Sequence, residues 1–416
     1  MRRVLLSIFA FLLTAHAYAQ APESVRRRIA KLCSAKMAGR GYVDSGALRA
    51  ANYLAGEMEQ IGLEPLFPNY LQAYSFPVNT HPGIVSCSLN GKALRHGKDF
   101  LLAAACPSVK GEFRLRMFDP SDSLDRELLE LKIRKGFAAD EALVLRKAGR
   151  RSFTRYDSMF RAGFAPPLLV YTEEKKMTHT VAGSVDPFPT LILMDSVVKN
   201  AERVSISAEH DFQPAWTSCN VAGMKRVKKA DSFIVFTAHF DHLGKQGEAM
   251  FPGASDNASG TAMVLHLAEQ FMLKKRLRDN IVFILFSGEE AGLLGSEFFT
   301  DHPPFDLNRI KILINIDIMG SAENGITVVN GETFRAAFDR LKALNDAGAY
   351  LPEVRIRGKA RNSDHHHFSE KGVPSLFIYS MGGPGYYHDV FDTAESLPMS
   401  RFNEVTRLLL DFTATR

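Results

Sequence analysis

The sequence predicts an α/β fold: a mixed, mostly parallel central sheet with helices on both faces, and an inserted α+β lid or domain. Three observations carry this expectation. The runs Phe233–Phe236, Ile281–Phe286, Ile310–Ile316 and Ser375–Tyr379 are mostly continuous in apolar residues rather than alternating, as in strands covered on both faces. Helical patterns such as Thr261 to Phe271 fall between them, giving a βαβ rhythm. Successive runs also stop at imidazole or carboxylate groups, and open α/β sheets bind ligands at the carboxyl ends of their strands.

In chain order, Arg2 and Arg3 precede an apolar run from Val4 to Leu13, and Ala17-Tyr18-Ala19 supplies a small-x-small cleavage pattern before Gln20. Residues 1–19 therefore read as a signal peptide, too short in its apolar part for a permanent membrane anchor, and the chain as exported to the periplasm or medium. A helix is expected from Asp44 or Ser45 to Gln60, with Leu48, Ala51, Ala55 and Met58 on its buried face and Gly62 as its stop. Short β-prone runs follow as far as Leu101, with Asn90-Gly91 as a hairpin turn.

Between residues 106 and 210 the character changes. Polar helical patterns (Ser121 to Arg134), a basic stretch (Arg146, Lys147, Arg150, Arg151, Arg155) and short strands such as Pro167 to Tyr171 alternate without clustered His and carboxylates. This segment reads as an insertion into one domain built from residues 20–105 and 211–416, and the basic stretch as a solvated face. Ile326–Val329 adds a strand to the second block, and Arg401 to Phe412 closes the chain as an amphipathic helix.

At 416 residues and 46% hydrophobic, the chain can bury a large core. A net charge of +5, with no long basic run interleaved with aromatics, argues against nucleic acid as a partner. Cys33, Cys87, Cys106 and Cys219 form no C-x-x-C pair, so zinc binding through thiolate is poorly supported, and the choice among three disulfide pairings stays open.

His239, Glu290, Asp317 and His388 follow strands and would converge on one rim, with Asp256 in the adjoining turn Pro252 to Gly260. Mixed imidazole and carboxylate ligands suit zinc or a similar divalent ion, and five such groups exceed what one tetrahedral ion needs. One carboxylate bridging two ions uses them economically and leaves room for a shared water. Glu289, beside a ligand, is placed to act as base, and Asp241 to support His239. Singly, each residue has a bland reading. A lone His is a satisfied polar group about ten times in eleven, Glu289-Glu290 can open a helix, and Asp317 can close a turn. The run Asp364-His365-His366-His367 is read as supporting or turn structure, because adjacent imidazoles rarely share one ion.

The motifs around these residues resemble those of the co-catalytic zinc aminopeptidases, a family that includes bacterial leucyl aminopeptidases, glutamate carboxypeptidase, the transferrin receptor ectodomain and glutaminyl cyclases. They are His239-Phe240-Asp241-His242, Pro252 to Gly260, Ser287-Gly288-Glu289-Glu290 through Ser296, Asn315-Ile316-Asp317 and Tyr387 to Thr393; Met37 to Arg40 looks like the family's amino-terminal segment. The resemblance implies that His239 and Asp317 hold one zinc, Glu290 and His388 the other, and Asp256 bridges them. It implies Glu289 as general base, Asp241 as support for His239, a cis peptide at Asp256-Asn257, and a protease-associated-like insert. Asp389 departs from the Thr or Ser common after the last ligand. The expected activity is removal of the amino-terminal residue from peptides by a dizinc enzyme. The alternatives are a glutaminyl cyclase with a single zinc, a non-catalytic binding module, and a carboxypeptidase for acidic carboxyl-terminal residues, which needs a basic pocket.

Overall fold

The computed structural model describes residues 21–119, 121–146 and 156–414. The segment read as a signal peptide and most of the basic stretch lie outside them. No helix among the described residues is long and apolar enough to cross a membrane.

The larger sheet has nine strands, with Phe233–His239 near its middle. That strand pairs in parallel with Asn280–Phe286 on one side and Ile310–Asp317 on the other, and Ser375–Ser380 continues the parallel set beyond Asp317. All seven residues of both Phe233–His239 and Asn280–Phe286 are buried, as their unbroken apolar runs require. Asp211–Lys225 runs antiparallel to Asn280–Phe286 and carries Leu71–Thr80 alongside. At the other side Ile326–Val329 runs antiparallel to Ser375–Ser380. Its carboxyl end therefore points away from the rim shared by its neighbours, which is why it alone among the expected strands contributes no site residue.

Helices cover both faces. On one side Gly46–Ile61, Gly260–Leu273 and Phe402–Phe412 share a core with Phe236, Phe271 and Phe283. On the other, Phe299 and Phe368 pack beneath Phe286. Each fully buried Phe contributes about 1.5–3 kcal/mol by removal from water. The helix Gly260–Leu273 starts pressed against the strand end at Ile316: a Cβ on Gly260 would lie 2.6 Å from the Ile316 oxygen and 2.2 Å from Asn257 Oδ1. Only glycine fits there.

Local expectations meet two corrections in the helix Gly46–Ile61. Gly62 stops it at φ +86°, but neither Asp44 nor Ser45 caps its start. Asp44 instead faces Lys245 at 3.1 Å, and Ser45 sits in the left-handed region. The buried face is Ala47, Ala50, Ala51, Leu54 and Met58, and Leu48 is exposed; the helix starts pressed against Met37–Gly41, where a Cβ on Gly46 would lie 2.6 Å from the Met37 oxygen.

The insertion forms an eight-stranded sheet of its own, with Val109–Phe118, Glu141–Leu145, Leu168–Glu173 and Thr190–Met194 parallel at its centre. It begins earlier than residue 106. The hairpin Ser86–Leu89 to Lys92–Ala93, turned by Asn90-Gly91, and the strand Phe100–Leu102 all belong to it, and Val85, Cys87 and Phe100 lie in its core. Composition does not mark that boundary, because the hairpin's apolar pattern resembles that of the strands before it. All four cysteines are unpaired, and burial pushes the Cys87 and Cys106 thiols up to about 12.

Candidate metal centre

Four parallel strands deliver their ends to one rim, and the five expected ligands meet there. His239 Nε2 lies 3.2 Å from Asp256 Oδ1 and 3.4 Å from Asp317 Oδ2. His388 Nε2 lies 3.2 Å from Asp256 Oδ2 and 3.2 Å from Glu290 Oε2. Asp256 thus presents one oxygen to each imidazole, and each imidazole faces a second carboxylate. Glu289 shares a cluster with His239 and Asp317 whose donor atoms all fall within 4.8 Å of one another. His239, Asp256 and Asp317 are buried.

The turn that carries Asp256 is held from below. Asp392 accepts the Ser255 amide at 2.8 Å and the Asp256 amide at 3.1 Å, and Asn257 donates to the Ile316 oxygen at 3.0 Å. The Asp256–Asn257 peptide is cis. Beneath the turn lies Arg40, with no exposed surface. Its guanidinium donates to the carbonyls of Phe240 (2.7 Å), Leu32 (3.1 Å), Pro252 (2.6 Å) and Gly253 (2.6 Å). Gly39 and Gly41 let this segment approach Gly244, where any Cβ would come within 2.3 Å of main-chain atoms.

Asp241 has a different place from the one expected. The nearest acceptor for His239 Nδ1 is the Asp241 carbonyl at 3.2 Å, while the carboxylate stands 3.7 Å away, too far for a hydrogen bond. Three other donors pin that carboxylate: Tyr42 Oη at 2.6 Å and the amides of Glu289 and Glu290 at 3.3 Å. Asp241 supports His239 through its main chain and orients the Glu289-Glu290 pair through its side chain.

His242, passed over in the sequence, is also drawn in. Its Nδ1 lies 2.7 Å from Glu290 Oε1, and it forms a second tight cluster with Asp256 and Glu290. His388 is the better ligand candidate of the two, since one nitrogen faces both Asp256 and Glu290 while His242 engages the remaining Glu290 oxygen. The sequence did hold a signal: His242 closes the same His-x-Asp-His run as His239. Tyr42, Arg40 and Asp392 carried none beyond residue type. His365 and His367 lie in the helix His365–Glu370, outside the cluster, with the His365 ring tilted against Phe377; Asp364 adds repulsion to the Glu289 carboxyl.

The donor chemistry fits divalent cations. Four carboxylates (Asp256, Glu289, Glu290, Asp317) converge on three imidazoles (His239, His242, His388), and none of their ion pairs among the described residues involves Lys or Arg. Asp317 Oδ1 is buried without a hydrogen-bond partner. Burial pushes the Glu289 carboxyl well above its ordinary range, with His239 opposing and Glu290, Asp364 and Asp317 adding repulsion. Burial also works against the charge of Asp256, but the hydrogen bonds of His239 and His388 hold it well below the usual carboxylate value.

Comparison with known proteins agrees with this geometry. Residues 220–413 match the model of peptidase family M28. The chain is 27% identical over 348 residues to aminopeptidase YwaD of Bacillus subtilis (strain 168), covering 77% of this chain and 71% of that one. It is 26% identical over 236 residues to a probable leucine aminopeptidase of Arthroderma otae, covering 53% of this chain and 61% of the relative. The fold is shared with a zinc aminopeptidase from Bacillus subtilis (TM-score 0.71, 17% identity, 94% of this chain and 93% of that chain). It is shared also with a peptidase M28 precursor from Shewanella amazonensis SB2B (TM-score 0.63, 17% identity, 94% and 95%). Residues 220–413 of this chain are thus similar to peptidase family M28, in line with the resemblance to zinc aminopeptidases read from the sequence.

Proposed function

We propose that this protein is an exported, zinc-dependent aminopeptidase that holds two ions and removes the amino-terminal residue of peptides. The observation that carries the reading is Asp256, whose two oxygens face two imidazoles 3.2 Å away on opposite sides. His239 and Asp317 would hold one ion, Glu290 and His388 the other, with Asp256 shared. Bound there, the pair supplies Lewis-acid polarisation of a carbonyl and a lowered pKa for water.

The chain's own groups do the rest. Glu289 takes the proton from the attacking water and passes it to the departing amine, a role its place beside His239 and Asp317 allows. Asp241 fixes Glu289 and Glu290 in register through their amides. A surplus of buried carboxylates favours a substrate amino terminus over a carboxylate. A cavity of about 100 Å³ beside Asp256, lined by Ile318, Tyr387, Leu397 and Gly382 to Gly385, includes no Lys or Arg. That argues against cleavage at acidic carboxyl-terminal residues, since the carboxylates lining the cavity are those of Asp256 and Asp392.

Aminoacyl p-nitroanilide hydrolysis, abolished by chelator and restored by zinc at two ions per chain, tests the reading. Glu289→Gln should lose turnover and keep both ions; loss of an ion would exchange the roles of the two glutamates. Export rests on the Arg2-Arg3, Val4–Leu13 and Ala17-Tyr18-Ala19 pattern, and amino-terminal sequencing of the secreted protein should begin at Gln20.

A further inference from the structure

The segment between the insertion's strands Leu168–Glu173 and Thr190–Met194 reaches across to the loop that carries His388. There His388 Nδ1 meets the His179 carbonyl at 3.1 Å, and the His179 amide donates to the His388 carbonyl at 2.9 Å. Lys176 Nζ donates to the Tyr387 carbonyl at 2.7 Å, to the Gly385 carbonyl at 3.2 Å and to Asp389 Oδ2 at 3.2 Å. Asp389 is 3% exposed, and its other oxygen accepts the Phe391 amide at 2.8 Å. The same insertion sends Lys98 over the Phe391 ring at 5.3 Å.

These contacts have two physical consequences. A carbonyl can only accept, so the His179 oxygen keeps the proton on His388 Nδ1 and leaves Nε2 free to face Asp256 and Glu290. His388 also stands at φ +57°, a left-handed conformation that a non-glycine residue keeps only where its surroundings hold it. Among the described residues, that hold comes from main-chain and side-chain bonds to His179 and from the lysine clamp on either side. By contrast His239, on the other side of Asp256, takes its Nδ1 acceptor from Asp241 within the peptidase domain itself.

We infer that the inserted domain completes one half of the metal centre: Lys176 and the His179 carbonyl position His388, so the ion held by Glu290 and His388 depends on the insertion while the ion held by His239 and Asp317 does not. Lys176 is a positioning residue, and its nearest ligand contact is made through the main chain of Tyr387. The inference rests on the two-ion reading above.

The test is zinc affinity of the two sites, measured by competition with a chelating dye on full-length protein, for wild type, Lys176→Met, Lys176→Arg, Asp389→Asn and the double variant Lys176→Met/Asp389→Asn. Lys176→Met should bind its first ion as wild type does and its second about 10–100-fold more weakly, the usual cost of losing an outer-shell partner. Lys176→Arg should restore most of that loss. The double variant should be no weaker than the worse single one, because both remove the same clamp. Lys176 is 36% exposed but its partner Asp389 only 3%, so Lys176→Met should lower the thermal transition by stranding that carboxylate, and the double variant, which removes the stranded charge, should recover part of it. Two ions at wild-type affinity in Lys176→Met, or equal weakening of both, overturns the inference and leaves the two-ion reading standing. A wild-type protein that takes up no zinc overturns both.

Discussion

Arg40 offers a sharp test of how the centre is built, because a fully buried guanidinium there serves four main-chain oxygens. Two of them, on Pro252 and Gly253, open the turn that carries Asp256, and a third follows His239 in the chain. Lysine keeps the charge but has a shorter reach and three tetrahedral donors, so it can satisfy two of the four carbonyls well. A hydrogen bond to a charged group is worth about 1.5–3 kcal/mol. Losing two, with part of the loss recovered by relaxation, gives Arg40→Lys a cost of about 2–4 kcal/mol. Arg40→Met strands all four oxygens and should cost on the order of 5 kcal/mol or more, a large part of a domain's stability of about 5–15 kcal/mol. Urea unfolding followed by Trp216, the single tryptophan, reads the peptidase domain directly, since that residue lies on its strand Asp211–Lys225. Arg40→Lys should also lose activity below its unfolding midpoint, through a loosened Asp256 turn. If Arg40→Lys stays within about 0.5 kcal/mol of wild type, the fork geometry is not what holds the turn, and the reasoning fails.

Other outcomes follow from single contacts. Tyr42→Phe removes the 2.6 Å bond to Asp241 Oδ2 and should cost about 1–3 kcal/mol, with a fall in kcat and little change in KM, since no substrate contact is involved. Gly260→Ala drives a methyl into the Ile316 oxygen and should lower the urea midpoint by the equivalent of about 3 kcal/mol; near-neutral behaviour would mean the helix can shift. In the insertion, the Lys132 hydrogen bond and the Ala138 amide pull Glu141 down to about 2. A depressed carboxyl stabilises the fold above its unfolded pKa and loses that contribution as pH falls from roughly 4–5 through about 2. Glu141→Gln should therefore weaken the insertion at pH 7 and flatten its acid dependence, as read by limited proteolysis across that range.

The residues differ in how visible they were. Phe233–Phe236 and Ile281–Phe286 announced buried parallel strands because a strand covered on both faces has no polar period to hide it. The candidate ligands at their ends followed, since strand direction alone decides which rim they reach. The motif around Asp256 likewise held its expected place, cis peptide included. The insertion's true start at the Ser86 hairpin was not visible, because alternating short strands look alike whichever sheet they join. Nor was the start of the helix Gly46–Ile61, where Ser45 holds the N-cap position in a left-handed conformation and makes no side-chain capping bond.

By itself the sequence determined the chemistry available at the rim: two imidazoles, four carboxylates and the strand ends that carry them, all encoded in short local patterns. Tertiary structure decided what supports them. Asp241 turned its side chain to the glutamates and its carbonyl to His239, Arg40 reached across some two hundred positions to the Asp256 turn, and Lys176 came from another sheet to the His388 loop. Such partners are hydrogen-bonding groups of common type, chosen by distance in space, and distance in space is not written in any local stretch of the chain.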